Sequence, residues 1–162
     1  MDHVQGIHHV AVSVPDLETA RRFYIDLLGA EEVMAGDWPR GNGYVNLIMG
    51  LVDCAGKSFM ARLGNAHIEV FEFLEPRAPA QDPDRPVHLC GYTHFGLQVD
   101  DIQAVYERMQ EAGIRFHCPP QFNGAVMPDG RKTGFLATYG RDFFGNVFEL
   151  IEINDDSRVP PL

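Results

Sequence analysis

Positive charge is scarce in this sequence. Its 162 residues include 13 Lys and Arg against 23 Asp and Glu, a formal net charge of −10. Nucleic acids and anionic membrane surfaces are bound mainly through clustered Lys and Arg, so neither is an expected partner. Cysteine is scarcer still. Cys54, Cys90 and Cys118 form no CxxC pair, and the odd count argues against a disulfide framework or a structural zinc knuckle. That usage suits a reducing compartment, and a cytoplasmic protein is expected. Long apolar runs are missing too, since none approaches the roughly 20 residues of a membrane span. The opening segment, MDHVQGIHHVAVSV, has no basic region ahead of an apolar stretch, so no leader is expected.

What the chain does have is 45% hydrophobic content, enough for one compact domain or two small modules with a core. It also has one pattern twice. His9-Val-Ala-Val-Ser-Val-Pro-Asp-Leu runs on through ETARRFYIDLLG to Gly29, and His94-Phe-Gly-Leu-Gln-Val-Asp-Asp-Ile runs on through QAVYERMQEAG to Gly113. Alternation over 7–14 and 93–99 predicts two half-buried strands. Asp16 and Asp100 or Asp101 suit helix N-caps. Leu17, Ala20, Phe23, Tyr24 and Leu27 fall on one helical face, as do Ile102, Val105, Met109 and Ala112. Gly29 and Gly113 suit the left-handed position beyond a helix end.

Each half also closes alike, with His67-Ile-Glu69-Val-Phe-Glu72 and Val147-Phe-Glu149-Leu-Ile-Glu152. Further alternating runs at Tyr44 to Met49, Ser58 to Leu63 and Gly134 to Tyr139 predict additional strands. Gly145-Asn146 predicts a tight turn before the last one. Each half therefore reads strand, helix, then about three strands. The boundaries are residues 6–75 for the first module, 76–91 for a stiff Pro-rich linker, 92–154 for the second module and 155–162 for a C-terminal tail. A long loop over 117–133, with three prolines, reads as a candidate lid.

Side chains alternate along a strand. Val10, Val12 and Val14 should pack on the helix, which puts His9, Ala11 and Ser13 on the other face. His67, Glu69 and Phe71 share one face of their strand, and Val147, Glu149 and Ile151 share one of theirs. A lone strand His or Glu is ordinarily packed or solvated, and Glu72 and Glu152 are expected to be solvated. Recurrence of a His–Glu pair in both halves is what singles out His9, Glu69, His94 and Glu149. Two such faces brought together would gather two imidazoles and two carboxylates, and a divalent cation compensates buried carboxylates directly.

The motifs HHVAVSVPDLETARRFYIDLLG, GNAHIEVFEFLEP, GYTHFGLQVDDI and YGRDFFGNVFELIE cover nearly the whole chain from Gly6 to Ile153. Together they resemble the vicinal oxygen chelate superfamily, which includes glyoxalase I, methylmalonyl-CoA epimerase, extradiol ring-cleavage dioxygenases, and fosfomycin and bleomycin resistance proteins. The resemblance implies an α+β fold of paired βαβββ modules forming a curved mixed sheet around a metal site. It also implies one divalent ion (Zn, Ni, Co, Mn or Fe) held by His9, Glu69, His94 and Glu149. His8 is expected to point to the helix-packing face and is set aside. Where glyoxalase I relatives carry Arg and Asn beyond the first two ligands, this chain has Ser13 and Phe73, so glutathione recognition is not implied. Asp53 is the nearest counterpart of an extra acidic residue found in epimerase relatives.

Four protein ligands resemble the glyoxalase and epimerase branches. The expected activity is therefore that of a metal-dependent lyase, isomerase or epimerase. Its substrate would be a small molecule offering two neighbouring oxygens, with Glu69 or Glu149 as the general base. His67, Tyr139 and Arg131 are candidate substrate contacts, and Lys132 lies beside them in sequence. A homodimer is expected. The rival enzyme is an Fe(II) extradiol-type dioxygenase in which Glu69 is a bystander and His117 and Tyr139 assist. The rival non-enzyme is a protein that sequesters a drug or metabolite.

Overall fold

The computed structural model describes residues 3–154 and 159–162. It divides into two compact units, Met1–Ala80 and Gln81–Leu162.

The first unit builds a four-stranded sheet in the order β1-β4-β3-β2 from β1 (His9–Ser13), β2 (Glu31–Trp38), β3 (Ala55–Leu63) and β4 (Ala66–Glu75). β1 runs parallel to β4, and the other pairings are antiparallel. The parallel pair needs a crossover, which α1 (Leu17–Arg21) and a π-helical continuation (Arg22–Leu27) provide. Asp16 starts this helix, its carboxylate accepting from the amides of Glu18 and Thr19 at 3.1 and 3.2 Å. Gly29, with φ 73°, ends it as expected. Leu17, Ala20, Phe23 and Tyr24 are buried, as are Phe59, Ala61, Ile68 and Val70 of the sheet, and the Tyr24 and Phe59 rings meet at 6.5 Å. Each fully buried large apolar side chain adds roughly 1.5–3 kcal/mol.

The second unit repeats the plan. β5 (His94–Gln98), β9 (Val147–Asn154) and β8 (Lys132–Arg141) lie side by side, with β6 (Arg115–Phe116) and β7 (Gln121–Val126) sharing the far edge of β8. β5 is parallel to β9, and α3 (Ile102–Glu111) crosses between them. Asp101 caps α3 through the Ala104 amide, and Gly113 follows it with φ 89°. The mixed α+β architecture is therefore one strand–helix–three-strand plan used twice, its sixth and seventh strands interrupted at 117–120. Among the described residues, no helix is long and apolar enough to cross a membrane.

Several expectations need correction. Residues Gly43–Met49 form a helix, α2, rather than a strand. Asn42 caps it through the Val45 amide and Gly50 closes it in the left-handed conformation, signals stronger than a short alternation. The 117–133 segment is largely a hairpin arm, because β7 pairs with β8 over Gln121–Val126. On α3 the buried residues are Ile102, Tyr106 and Met109, whereas Ala112 is exposed. The Pro-rich linker is divided. Its residues from Gln81 onward belong to the second unit, where Arg141 donates to the Arg85 carbonyl at 2.9 Å and Gln81 to Asn146 at 3.0 Å. The expected tail lies partly outside the described residues, and Leu162 donates its amide to Gln98 at 2.8 Å.

Candidate functional site

The parallel strand pair is what creates the site in each unit. In the first, β1 and β4 set His9 beside His67 and Ala11 beside Glu69. In the second, β5 and β9 set His94 beside Val147 and Gly96 beside Glu149. Each carboxylate thus faces a small residue on the neighbouring strand and leans toward the His two positions earlier. His9 Nε2 lies 3.3 Å from Glu69 Oε2, and His94 Nε2 lies 3.4 Å from Glu149 Oε2. The four side chains are partly open, from 39% exposed for His9 to 16% for Glu69.

Both rings are held from behind. His9 Nδ1 is 2.9 Å from His8 Nδ1, and His94 Nδ1 is 2.9 Å from Thr93 Oγ1. His8, expected on the helix-packing face, instead stacks on the His67 ring at 5.0 Å. Two ligands each about 2.0–2.2 Å from one divalent ion lie roughly 3.0–3.4 Å apart when they are neighbours in its shell. Both His–Glu separations fall in that interval, and neutral imidazole with carboxylate is a donor set that divalent transition ions accept. The pairs therefore fit a metal. Within neither unit, among the described residues, do three or more His, Cys, Asp or Glu side chains form a metal-holding group.

Other sequence candidates fall as follows. Tyr139 lies opposite Glu149 in the β8–β9 register, and its ring is 4.5 Å from that of His94. Burial, and then the charge of Glu149, raise its hydroxyl above the usual tyrosine range. His67 shares the face of Glu69 and lies opposite Arg62. Arg131 sits in the turn before β8, ion-paired with Asp129 at 2.9 Å. It is eight residues from Tyr139, roughly 26 Å of strand, so it is not brought to Glu149 within this unit. Lys132 lies 5.6 Å over the Phe122 ring. Asp53 accepts from Arg40 and from the Gly41 amide, which ties it to its own loop.

His117 accepts at Nε2 from Arg141 Nε, 3.1 Å away, and its ring is 6.1 Å from Tyr139. Burial first, then the charges of Arg141 and Arg115, hold its pKa below the usual 6.5. Sequence reasoning did not reach Arg141, a buried cation whose remaining donors go to the carbonyls of Gly145 and Arg85. It set His8 aside and did not reach Thr93, although both precede the repeated His and lie 2.9 Å from its Nδ1. That shared position was the available signal.

A family model, the Glyoxalase/Bleomycin resistance protein/Dioxygenase superfamily, matches residues 6–150. The chain belongs to this superfamily. Among superfamily relatives, the chain is 32% identical over 147 residues to an ethylmalonyl-CoA/methylmalonyl-CoA epimerase of Cereibacter sphaeroides, covering 91% of this chain and 97% of the relative. It is 29% identical over 156 residues to a 2-epi-5-epi-valiolone epimerase of an Actinomyces species, covering 91% and 79%. A solved glyoxalase family protein from Bacillus cereus shares the superfamily fold with a TM-score of 0.77 at 20% identity, covering 94% of this chain and 97% of that one.

Proposed function

We propose that this protein is a metal-dependent epimerase or isomerase that moves a proton on the carbon next to a carbonyl of a small oxygen-chelating substrate. The observation that carries the reading is the duplicated His–Glu pair, His9 with Glu69 and His94 with Glu149. Support comes from relatives named as epimerases, one an ethylmalonyl-CoA/methylmalonyl-CoA epimerase and one a 2-epi-5-epi-valiolone epimerase. His9, Glu69, His94 and Glu149 would hold the metal. Such an ion, when bound, supplies positive charge against the oxygen on which charge develops as the proton leaves.

Residue roles follow from donor chemistry. A carboxylate of Glu69 or Glu149 takes the proton from carbon; the electron pair of the C–H bond moves toward the carbonyl, and return of a proton to the opposite face inverts the centre. A nearby cation lowers a carboxylate's basicity, so the base would be whichever of Glu69 and Glu149 the ion held less firmly. Tyr139, its ring tilted beside that of His94, and His67, on the Glu69 face, are proposed to orient the substrate. We also propose a homodimer with two equivalent sites, which sedimentation would report as about twice the 18.1 kDa chain mass.

The test is anaerobic incubation of metal-loaded protein in D₂O with acyl-CoA thioesters, α-hydroxy-ketones and hemithioacetals. Deuterium should enter the carbon next to the carbonyl. Glu69→Gln or Glu149→Gln should slow that exchange, according to which carboxylate is the base. Turnover that strictly requires O₂ and opens a catechol ring would overturn the reading.

A further inference from the structure

One face of the first unit's sheet carries His67 and Glu69, and the strand register extends it row by row. Residues opposite one another on neighbouring strands point to the same face. The row of Glu69 holds Ala11, Met60 and Met34. One step further along this face of β4, about 6.7 Å at the rise of a strand, Phe71 lies between Ser13 and Ser58, with Gly36 beyond. In the next row Phe73 faces Gly56, and Gly56 faces Trp38. The large side chains past Glu69 on this face are therefore aromatic rings set among serines and glycines.

The rings form one cluster. Trp38 meets Phe71 at 6.0 Å and Phe73 at 5.8 Å, edge-on in both cases, and Phe71 and Phe73 lie 5.9 Å apart. The indole lies so close over Gly56 that a Cβ there would collide with its ring carbons. Glycine at this position is what lets the indole settle onto the sheet. Trp38 is buried, whereas Phe71 and Phe73 are half-buried and leave ring surface open. The duplicated plan does not demand aromatic residues here. Phe71 and Phe73 follow Glu69 at the positions where Ile151 and Ile153 follow Glu149 in the second unit. Open ring surface is unfavourable in water, and the loss is recovered when an apolar group covers it.

We propose that Phe71 and Phe73, backed by Trp38, receive an apolar substituent of the substrate, an alkyl chain or aryl ring carried on the side away from its two chelating oxygens. The occupant is part of a small molecule because the rings continue the face of Glu69 after a single strand step. A molecule whose reacting carbon lies at that carboxylate reaches them with its next few atoms. A second carboxylate in the same place would give up its water against carbon surface and gain little in return. The rings determine specificity and take no part in moving the proton. This rests on the reading of Glu69 above and names the class of substrate it serves.

Trp38 is the one tryptophan of the chain, so its fluorescence and its single indole N–H signal report on this cluster alone. The experiment titrates Zn²⁺-loaded full-length protein with acetohydroxamate, 3-phenylpropanohydroxamate and succinic monohydroxamate, which share a chelating head and differ in the tail. The phenyl tail should bind at least about tenfold more tightly than the methyl, because a ring buries more surface than a pair of methylenes. It should also move the indole signal, and the carboxylate tail should do neither. Phe71→Ala should bring the phenyl tail down to the affinity of the methyl; dispersed backbone spectra check its fold, and the wild-type ranking needs no variant. A second arm titrates metal-free wild type with 3-phenylpropanol, which does not chelate and should move the same indole signal saturably at weaker affinity. Equal affinity of Zn²⁺-loaded protein for the three hydroxamates overturns the subsite and leaves the metal site standing. No uptake of Zn²⁺, with the indole signal still moved by 3-phenylpropanol, overturns the metal site and leaves the subsite. An indole signal that no probe moves overturns the subsite, and one that moves only on dilution assigns the rings to contact between two copies of the chain instead.

Discussion

Glu152 accepts a hydrogen bond from the backbone amide of Ile102 through Oε2, 2.9 Å away. Glu72 does the same for Leu17 at 3.0 Å, and Lys57 joins it at 3.1 Å. Both carboxylates were expected to be solvated. Each instead reaches from the last strand of its unit to the first amide of the crossover helix, where unsatisfied N–H groups and the helix dipole favour negative charge. Each lies three residues beyond the paired Glu, on the opposite face of the strand.

Removing this tie should loosen the helix more than the site. Glu152→Ala is expected to destabilise by about 1–3 kcal/mol, seen as a lower urea midpoint at unchanged slope. Glu152→Gln keeps an acceptor and should lose less. If Glu152→Ala unfolds at the wild-type midpoint, the hydrogen bond has no energetic weight.

Asp16 gives a pH dependence. The Thr19 hydroxyl donates to its carboxylate at 2.5 Å, the Glu18 and Thr19 amides add to this, and its pKa is held below the usual 3.8 despite partial burial. The unfolded chain binds this proton more readily, so the stabilisation is complete above the unfolded value and is lost as pH falls through the folded one. Asp16→Ala should therefore lose about 1 kcal/mol at neutral pH. The gap from wild type should close as the solution is acidified below 3.8. Urea midpoints measured at both ends of that range decide it.

His117 should titrate below its ordinary 6.5, because burial and the facing guanidinium of Arg141 disfavour the charged ring, with Arg115 adding to them. An Arg side chain only donates, so Nε2 of His117 accepts and the neutral ring carries its proton on Nδ1. The stability this provides is present above 6.5 and lost as pH falls through the folded pKa. An NMR titration of the His117 ring should give a midpoint under 6.5, and Arg141→Met should raise it. A midpoint at or above the ordinary value would contradict the contact.

Tyr139→Phe separates ring from hydroxyl. The ring lies 4.5 Å from His94, and this contact survives the change, so metal uptake should match wild type. If the hydroxyl orients substrate, deuterium exchange should slow by roughly 10²-fold or less. Loss of metal uptake would instead show that the hydroxyl itself supports the metal site.

Much of the fold was readable because the chain states it twice. The strands at His9 and His94, the caps Asp16 and Asp101, and the terminal Gly29 and Gly113 all form as the sequence predicts, but β1 is exposed at four of its five positions, Val10 included, rather than half-buried. Local signals failed where two of them competed, as at Gly43–Met49, where Asn42 and Gly50 impose a helix on an alternating run. They also failed where partners are distant in sequence. Nothing near Glu152 announces Ile102, and nothing near Arg141 announces the Arg85 carbonyl. At the site, strand alternation placed each His and Glu on one face. The residues behind them were passed over because strand periodicity says which way a side chain points and not what its neighbour does to it.

The attachment of residues 81–91 to the second unit makes the unit of inheritance longer than the unit of repeat. Similarity between the halves begins near Thr93. A gene fragment starting there, however, would encode an Arg141 without the Arg85 carbonyl and an Asn146 without Gln81. A buried guanidinium that loses one of its acceptors costs such a half-chain stability. Any recombination that moved this half between proteins would have had to carry the preceding prolines with it, even though they match nothing in the first half.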